Sequence, residues 1–319
     1  MTILVGDCTR SLRGIPSGSV QCCVTSPPYY GLRDYGHPEQ IGHEEAPQAY
    51  VARLEGVFAE VHRVLRDDGI LWLNLGDSYV APGRGRLGRS GQRADRRHTA
   101  TCAGVKHAGG LPAKNLMGMP WRVALALQDA GWILRQDIIW HKPNPMPESV
   151  QDRFTKAHEY IFMFSKNSKY FFDIEAGKEN IAPSSRKRIE QNIGQQRGSF
   201  RSPGKTNGAM KAVGCVQGKR NRRSVWTVST KPFKGAHFAT FPPDLVEPCI
   251  LTTSRPGDVV LDPFGGAGTT ALVADRVGRR FILCELNPEY SALAAERIAI
   301  DRRARPAGQT SDLFERIYQ

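Results

Sequence analysis

The pentapeptide TSPPY, residues 25–29, combines groups that could bind and orient a small planar molecule. It follows the apolar run VQCCV, which predicts a buried β-strand that ends at the prolines. Neither proline has an N–H, and Pro28 keeps Pro27 out of helical geometry, so the strand end presents a hydroxyl, bare carbonyl oxygens and an aromatic ring. The oxygens could accept from an amino group while the ring stacks, and a nucleobase is one molecule that fits. The alternative is a strand followed by an ordinary Pro-Pro turn with a surface tyrosine.

A second candidate site is the run VVLDPFGGAGTT, residues 259–270, which predicts a strand, a glycine-rich turn and a helix. Glycine lets the backbone approach a ligand closely, and a helix N-terminus offers N–H groups to a carboxylate or phosphate. Glu285 ends the next predicted strand, twenty residues after Gly265, which is the spacing expected of an acid that holds a ribose diol. The run matches neither G-x-G-x-x-G nor G-x-x-x-x-G-K-[ST], which disfavours a nicotinamide or ATP site.

Strands and helices alternate around these two loops, and this order must position them. Apolar runs predict strands at 3–5, 20–24, 70–75, 132–140, 160–164, 258–261 and 281–284, with a further extended piece at 170–172. Helical spacing predicts helices at 9–12, 47–66, 120–130, 244–252, 268–277 and 287–302, and the turn Asp67-Asp68-Gly69 after the second of them. The alternation indicates an α/β fold with a doubly wound, mostly parallel sheet that helices cover on both faces.

Composition restricts the class of protein. The chain has 319 residues and is 40% hydrophobic, which is enough for a sizeable core. No apolar run reaches the roughly 18 residues of a membrane helix, and the N-terminal residues lack the pattern of a signal peptide. The seven cysteines are an odd number without a C-x-x-C pair, which indicates reduced thiols in the cytoplasm.

Positive charge is concentrated in two segments. The net charge is +13, of which residues 81–110 contribute +6 and residues 184–224 contribute +10, so the rest of the chain carries −3. Both segments are rich in glycine and serine. A nearly neutral body with two basic arms is typical of a protein that binds phosphates. The alternative is that the basic loops only aid solubility or are disordered.

Taken together, these segments resemble the S-adenosylmethionine-dependent amino-methyltransferases of DNA. The resemblance rests on TSPPY and DPFGGAGTT, in the motif order of the β class, and on LWLNLGDSY, the segment from IIWHKPNP to HEYIFMFSK, KGAHFATFP and FILCELNPEY. It implies a Rossmann-like methyltransferase fold with a basic target-recognition insertion. The implied regions are a catalytic half at 1–80 and 116–181, a basic insertion loop at 81–115, a basic target-recognition region at 182–224, a cofactor-binding half at 225–305 and a tail at 306–319.

The resemblance also implies roles for individual residues. Ser26 and Pro27 would accept hydrogen bonds from the target amino group, Pro28 would complete the loop and Tyr29 would stack on the base. Contacts with S-adenosylmethionine are implied for Asp7, Cys8, His237, Phe238, Asp262, Phe264, Gly265, Gly266, Gly268, Thr269 and Glu285. The DNA-binding candidates are Arg186, Lys187, Arg188, Arg197, Arg201, Arg220, Arg222 and Arg223.

The implied activity is methyl transfer to the exocyclic N4 of a flipped-out cytosine in duplex DNA. SPPY is more often associated in this family with cytosine N4, and DPPY with adenine N6; adenine N6 stays the alternative, and a non-catalytic nucleic-acid-binding protein a distant one. The expected partners are double-stranded DNA and, functionally, a cognate restriction endonuclease, with neither a membrane nor a metal. The expected location is the cytoplasm of a bacterial, archaeal or phage-infected cell, and the oligomeric state stays open.

Three further patterns have competing interpretations. Pro248-Cys249 resembles the nucleophile of cytosine-C5 methyltransferases, but a core cysteine in a helix is the better interpretation. His98, Cys102 and His107 match no common zinc spacing. For His158-Glu159 a structural role at a strand end and a role in the chemistry both stay open.

Overall fold

The computed structural model describes residues 1–33, 35–81, 109–181, 219–230 and 241–305. The helices in these ranges are α1 (Cys8–Arg13), α2 (Pro47–Val64), α3 (Met119–Asp129), α4 (Pro243–Thr253), α5 (Thr269–Arg276) and α6 (Pro288–Ala304). The strands are β1 (Thr2–Val5), β2 (Val20–Thr25), β3 (Leu65–Leu75), β4 (Ile133–His141), β5 (His158–Ser165), β6 (Lys178–Asn180), β7 (Lys219–Asn221), β8 (Val225–Thr227), β9 (Val259–Asp262) and β10 (Arg280–Glu285). None of these helices is long and apolar enough to cross a membrane.

Eight of the described strands form one sheet, in the order β1-β10-β9-β2-β3-β5-β4-β8. Every neighbouring pair is parallel except the two that involve β5, which runs antiparallel to both β3 and β4. The predicted doubly wound, mostly parallel α/β fold is therefore confirmed. The carboxyl ends of the five parallel strands from β1 to β3 meet at one edge, where ligands bind in open α/β sheets.

The core lies on both faces of this sheet. Along β3, Leu71, Leu73 and Leu75 pack with α1, α2 and α3, whereas Ile70 and Trp72 pack with α4, α5 and α6. This alternation follows from the two-residue period of a strand, and it explains why the buried part of β3 is apolar at every position except Asn74.

The chain divides into two compact units, one of Met1–Phe172 with Ser224–Gln319 and the other of Asp173–Arg223. The large sheet belongs to the first unit. In the second unit, β6 pairs antiparallel with β7, and Arg220 forms an ion pair with Glu179 at 2.9 Å. The roles predicted for residues 81–115, 182–224 and 306–319 concern segments that lie mostly outside the described residues.

Two local predictions were wrong. Asp67-Asp68-Gly69 is not a turn after α2, because the helix ends at Val64 and the fully buried Leu65 already belongs to β3. The pairing with β2 shifts from Val20–Leu65 to Cys22–Ile70, so the residues between form a bulge in the strand.

Residues 170–172 are not an extension of β5, which ends at Ser165. The Phe171 N–H instead donates to the Asp68 carbonyl at 3.1 Å, and the Arg255 guanidinium lies 3.7 Å from the centre of the Phe171 ring. These contacts hold the segment as a loop beside the bulge of β3.

Candidate functional site

The loop after β2 lies at the carboxyl edge of the sheet. Pro27 is buried, and Ser26, Pro28 and Tyr29 are half-buried. The Tyr50 hydroxyl donates to the Pro28 carbonyl at 2.9 Å, whereas among the described residues no donor reaches the Pro27 carbonyl. The Ser26 hydroxyl already accepts from Asn74 Nδ2 at 3.3 Å and donates to Tyr29 Oη at 3.4 Å, which leaves its oxygen one further lone pair beside the Pro27 carbonyl.

The Tyr29 side chain is fixed at its hydroxyl end. Asn74 Nδ2 donates to Tyr29 Oη at 2.8 Å, and Tyr29 Oη donates to Glu159 Oε2 at 2.7 Å. Asn74 Nδ2 also lies 3.0 Å from Glu159 Oε2 and 3.3 Å from Ser26 Oγ. Burial, then the nearby Glu159 carboxylate, raises the pKa of Tyr29 well above its usual value, so the phenol stays protonated and can donate.

Glu159 is held in its ionised form by a neighbouring lysine. Its Oε1 accepts a short hydrogen bond from Lys142 Nζ, and the two side chains are only 15% and 19% exposed. Burial of the carboxyl opposes ionisation, but the Lys142 ammonium and the bonds from Lys142, Tyr29 and Asn74 outweigh it and lower the pKa of Glu159. A charged pair therefore lies directly behind the TSPPY loop.

The glycine-rich turn after β9 depends on close packing. A Cβ added at Gly265 would lie 2.3 Å from Leu283 Cγ, so only glycine fits against β10. Gly268 has φ 73°, and a Cβ there would lie 2.8 Å from the Ala294 Cβ of α6. Arg297 Nη1 donates at 2.9 Å to the Ala267 carbonyl and to Thr269 Oγ1, which fixes the start of α5.

Glu285 ends β10 beside this turn. Its Oε2 accepts from the Gly266 N–H at 2.7 Å, and its Oε1 accepts from the Asn287 N–H at 2.9 Å. Burial raises the pKa of Glu285, although these backbone bonds oppose the shift. The carboxyl is held in one orientation at the end of its strand, as an acceptor for paired hydroxyl groups would need.

A buried hydrogen bond joins the two loops. Thr25 Oγ1 donates to Asp262 Oδ1 at 2.6 Å, and the Phe264 N–H donates to the same oxygen at 3.0 Å. Burial raises the pKa of Asp262 to about 6, against the opposing effect of these bonds. Asp262 thus connects the end of β2 with the glycine-rich turn.

One pocket is lined by both loops. Ser26 and Pro28 come from the first loop, and Phe264, Gly265, Gly266, Thr269 and Asp262 from the second. Asp7 and Cys8 line it beside Glu285, and burial raises the pKa of the Cys8 thiol to about 12, so this thiol stays neutral. Asp7 also caps α1, because its Oδ1 accepts from the Arg10 N–H at 3.0 Å. The aromatic rings Tyr35, Phe241 and Tyr290 also line it, and so do Glu39, Gln40 and Ile41.

Most of the predicted catalytic and cofactor-binding residues thus meet in one place. His237 and Phe238 lie outside the described residues, and so do Arg186, Lys187, Arg188, Arg197 and Arg201. Arg220, Arg222 and Arg223 lie in the Asp173–Arg223 unit, where Arg222 and Arg223 are exposed. The roles of all these residues stay predictions.

Sequence reasoning missed Asn74, Lys142 and Arg297. Asn74 is a polar residue in an otherwise apolar buried strand, which is a signal that could have found it. Cys249 is buried within α4, as its interpretation as a core residue predicted. The possible metal ligands His98, Cys102 and His107 lie outside the described residues. Among the described residues, no group of three or more His, Cys, Asp or Glu side chains could hold a metal.

Comparison with known proteins gives matches along most of the chain. Residues 20–296 match the N6/N4 methyltransferase family model, which is described as DNA methylase. The type II methyltransferase M.XycI of Xanthomonas campestris pv. cyanopsidis is 49% identical over 300 residues, which cover 93% of this chain and 87% of that protein. M.SmaI of Serratia marcescens, also a type II methyltransferase, is 44% identical over 296 residues, which cover 93% of this chain and 90% of that protein.

Solved structures show the same fold. A protein of Thermus thermophilus described as a DNA modification methylase, in complex with S-adenosyl-L-methionine, has a TM-score of 0.59 and 26% identity, with 95% of each chain covered. The cytosine-N4-specific PvuII DNA methyltransferase has a TM-score of 0.60 at 22% identity and covers 99% of this chain and 92% of its own.

Proposed function

The chain belongs to the N6/N4 DNA methylase family, and we propose that it transfers a methyl group to the exocyclic N4 of cytosine in duplex DNA. It is a type II DNA methyltransferase that uses S-adenosylmethionine. The choice of cytosine is the proposal, and it rests on one observation: a neutral serine occupies the loop position that lines the pocket. The alternative target is adenine N6.

The pocket fits S-adenosylmethionine by its donor set. Glu285 is a fixed acceptor that we assign to the ribose hydroxyls, and Asp7 with Cys8 would lie beside the adenine ring. We assign Phe264, Gly265, Gly266, Gly268 and Thr269 to the methionine end of the cofactor. Asp262 would fix the turn through its hydrogen bond with the Phe264 N–H. When bound, the cofactor supplies an electrophilic methyl group. The residues of the chain have to bring the target nitrogen to it and exclude water.

The TSPPY loop suits an amino group attached to an aromatic ring. The nitrogen lone pair of such a group is delocalised into the ring, and two acceptors outside the base plane favour a pyramidal nitrogen with a localised lone pair. Ser26 Oγ and the Pro27 carbonyl are the acceptors we assign to this role. Positioning of this kind supplies a large part of the rate of a direct transfer, and it requires no strong base.

Ser26 favours cytosine, and the two carboxylates that contact Thr25 and Tyr29 have several partners each. Asp262 accepts from Thr25 and the Phe264 N–H, and Glu159 accepts from Tyr29, Asn74 and Lys142. Ser26 and Pro28 are the TSPPY residues that line the pocket, and of these two side chains only Ser26 can form a hydrogen bond. Its group is a neutral hydroxyl. In the family that this chain resembles, SPPY accompanies cytosine N4 more often than adenine N6.

Access to a base within a duplex requires base flipping, which costs a few kcal/mol. Tyr29 would recover part of that cost, because stacking of a base on an aromatic side chain contributes about 1–3 kcal/mol. The predicted arginines and lysines of residues 182–224 would supply salt-dependent contacts with phosphates. A cognate restriction endonuclease stays part of the proposal as a functional partner.

Nucleoside analysis tests this proposal directly. The protein is incubated with labelled S-adenosylmethionine and duplex DNA, the DNA is digested, and the labelled nucleosides are separated. We expect the label in N4-methylcytosine. Label only in N6-methyladenine would overturn the assignment of the base, and absence of label from DNA would overturn the proposed activity.

Ser26→Ala then tests the loop. We expect the rate of transfer to fall by at least about tenfold, because one of the two acceptors is lost. Ser19→Ala is the matched control, since Ser19 donates to the Pro16 carbonyl, and it should leave the rate unchanged. An unchanged rate in Ser26→Ala would show that the catalytic loop is assigned wrongly.

A further inference from the structure

We propose that Glu159, anchored by Lys142, is the positioning residue that sets the orientation of the Tyr29 ring on which the flipped base stacks. This inference rests on the proposed function, and its test separates the two. It assigns a role to a charged pair that the chemistry of methyl transfer does not otherwise use.

The hydrogen bonds around Tyr29 converge on the Glu159 carboxylate. Asn74 Nδ2 donates to Tyr29 Oη, and Tyr29 Oη donates to Glu159 Oε2, while Glu159 Oε1 accepts from Lys142 Nζ. An ionised carboxylate can only accept, so the phenol has to donate to it. The direction of the phenol hydrogen, and with it the position of the hydroxyl, is therefore determined by the charge on Glu159.

The part of the ring from Cδ2 to Cζ is restricted by Gly76. A Cβ added at Gly76 would lie 2.6 Å from Tyr29 Cε2 and 3.0 Å from Tyr29 Cδ2, so the ring packs directly against the glycine backbone. The ring is thus held at two places, at its hydroxyl by Glu159 and at its edge by Gly76. A ring held in this way forms a rigid stacking surface.

Lys142 is itself well placed to keep Glu159 fixed. Its backbone N–H donates to the Ala157 carbonyl at 2.8 Å, and its Nζ lies 4.3 Å from the centre of the Trp140 ring. Trp140 and Glu159 are register partners on β4 and β5. The carboxylate is therefore presented by β5, and the cation by the residue that follows the neighbouring strand β4.

Stability alone does not explain this pair. Burying two charges costs free energy that their attraction often fails to repay, and apolar residues of similar volume are commonly as stable or more stable. A phenylalanine at position 29 with apolar residues at 142 and 159 would pack there without buried charges. The pair accounts for the placement of a tyrosine hydroxyl, which a core without charges would not provide.

A double-mutant cycle between Glu159→Gln and Tyr29→Phe tests the inference. Glutamine removes the charge and can present either an oxygen or an NH2 group to the phenol, so the direction of the bond is lost. We expect kcat for DNA methylation to fall by at least about tenfold, with the KM for S-adenosylmethionine changed less than about threefold. In the Tyr29→Phe background the same change should lower kcat by no more than about twofold, because no hydroxyl is left to position.

Two additional variants distinguish positioning from folding. Glu159→Gln combined with Lys142→Met removes both charges, so no ammonium is left unpaired. This double change replaces Glu159→Gln in a second cycle with Tyr29→Phe, and we expect the same coupling. Thr253→Val removes a buried hydroxyl that accepts from Trp72 Nε1 at 3.1 Å, and it should lower the melting temperature without lowering kcat. Thermal unfolding is recorded for every variant.

The outcomes are separable. Equal losses from Glu159→Gln in the presence of Tyr29 and in the Tyr29→Phe background would overturn the positioning role. An increase in the KM for S-adenosylmethionine with kcat unchanged would also overturn it. Absence of methyl transfer by the unaltered protein would refute the proposed function instead, before any variant is compared.

Discussion

Thr25 Oγ1 lies 2.6 Å from Asp262 Oδ1, in a buried contact between the last residue of β2 and the last residue of β9. The two residues are separated by 237 positions in the sequence. Each begins one of the loops that line the pocket, so this hydrogen bond sets the spacing between the loop assigned to the target base and the turn assigned to the cofactor.

Thr25→Val should weaken both the fold and the site. Valine has a similar shape but no hydroxyl, so a buried carboxylate oxygen loses one of its donors, at a cost of about 1–3 kcal/mol in the free energy of unfolding. We also expect a higher KM for S-adenosylmethionine, because the start of the glycine-rich turn is released. Urea denaturation and steady-state kinetics measure the two effects.

Thr25→Ser is the control for this prediction, because it keeps the hydroxyl and removes only a methyl group. It should retain most of the affinity that Thr25→Val loses. Equal KM values in the two variants would contradict the linking role of the hydroxyl.

Asp262 predicts a specific dependence of stability on pH. Its pKa is raised from 3.8 to about 6, so the folded state prefers the protonated form. The resulting contribution to stability is fully present below pH 3.8 and is lost as the pH rises through about 6. A shift of this size corresponds to about 3 kcal/mol, as an order of magnitude.

Asp262→Asn isolates this contribution, because the amide stays neutral at every pH. The free energy of unfolding of the unaltered protein, relative to this variant, should fall as the pH rises from 3.8 to about 6, between the unfolded and the folded pKa of Asp262, and level off above the folded pKa. Parallel stability curves for the two proteins would contradict the raised pKa.

The two loops were predictable from the sequence because their signals are local. Two consecutive prolines end a strand, and a glycine run between a strand and a helix forms a turn, whatever the rest of the chain does. The spacing from Gly265 to Glu285 likewise depends on one strand-helix-strand unit. The structure places both loops at the same edge of the sheet, as the alternation of strands and helices implies.

The side chains that hold Tyr29 in place were not predictable in the same way. Asn74 and Glu159 contact Tyr29, and Lys142 contacts Glu159, only because β3, β5 and β4 are neighbours in the sheet. Glu159 lies 130 positions from Tyr29 in the sequence. The turn predicted at Asp67-Asp68-Gly69 failed for a related reason. Its residue types favour a turn, but burial of Leu65 and pairing with β2 draw the segment into the strand.

Gly265→Ala should disrupt the glycine-rich turn. Its Cβ would lie 2.3 Å from Leu283 Cγ, a side chain that is fully buried and cannot move aside. Overpacking of this kind costs about 1–3 kcal/mol, and we expect reduced affinity for S-adenosylmethionine as the turn shifts. Calorimetric titration and thermal unfolding measure both.

Gly56→Ala is the matched control, since Gly56 is exposed in the middle of α2 and a Cβ there meets nothing within 4 Å. Alanine should raise stability by about 0.5–1 kcal/mol at this position and leave cofactor affinity unchanged. A Gly265→Ala variant that binds the cofactor like Gly56→Ala would show that the contact with Leu283 relaxes freely.

Gly76→Ala tests the contact between Gly76 and the Cδ2–Cε2 side of the Tyr29 ring. The added methyl group would lie 2.6 Å from Cε2 of that ring, so the ring has to move while its hydroxyl stays bonded. We expect kcat for methylation to fall by about tenfold to a hundredfold, with affinity for S-adenosylmethionine unchanged, because Gly76 does not line the cofactor pocket. In a Tyr29→Ala background the ring is absent, and Gly76→Ala should then have almost no further effect on kcat. A loss of equal size in both backgrounds would show that Gly76 acts on the site by a route other than the ring.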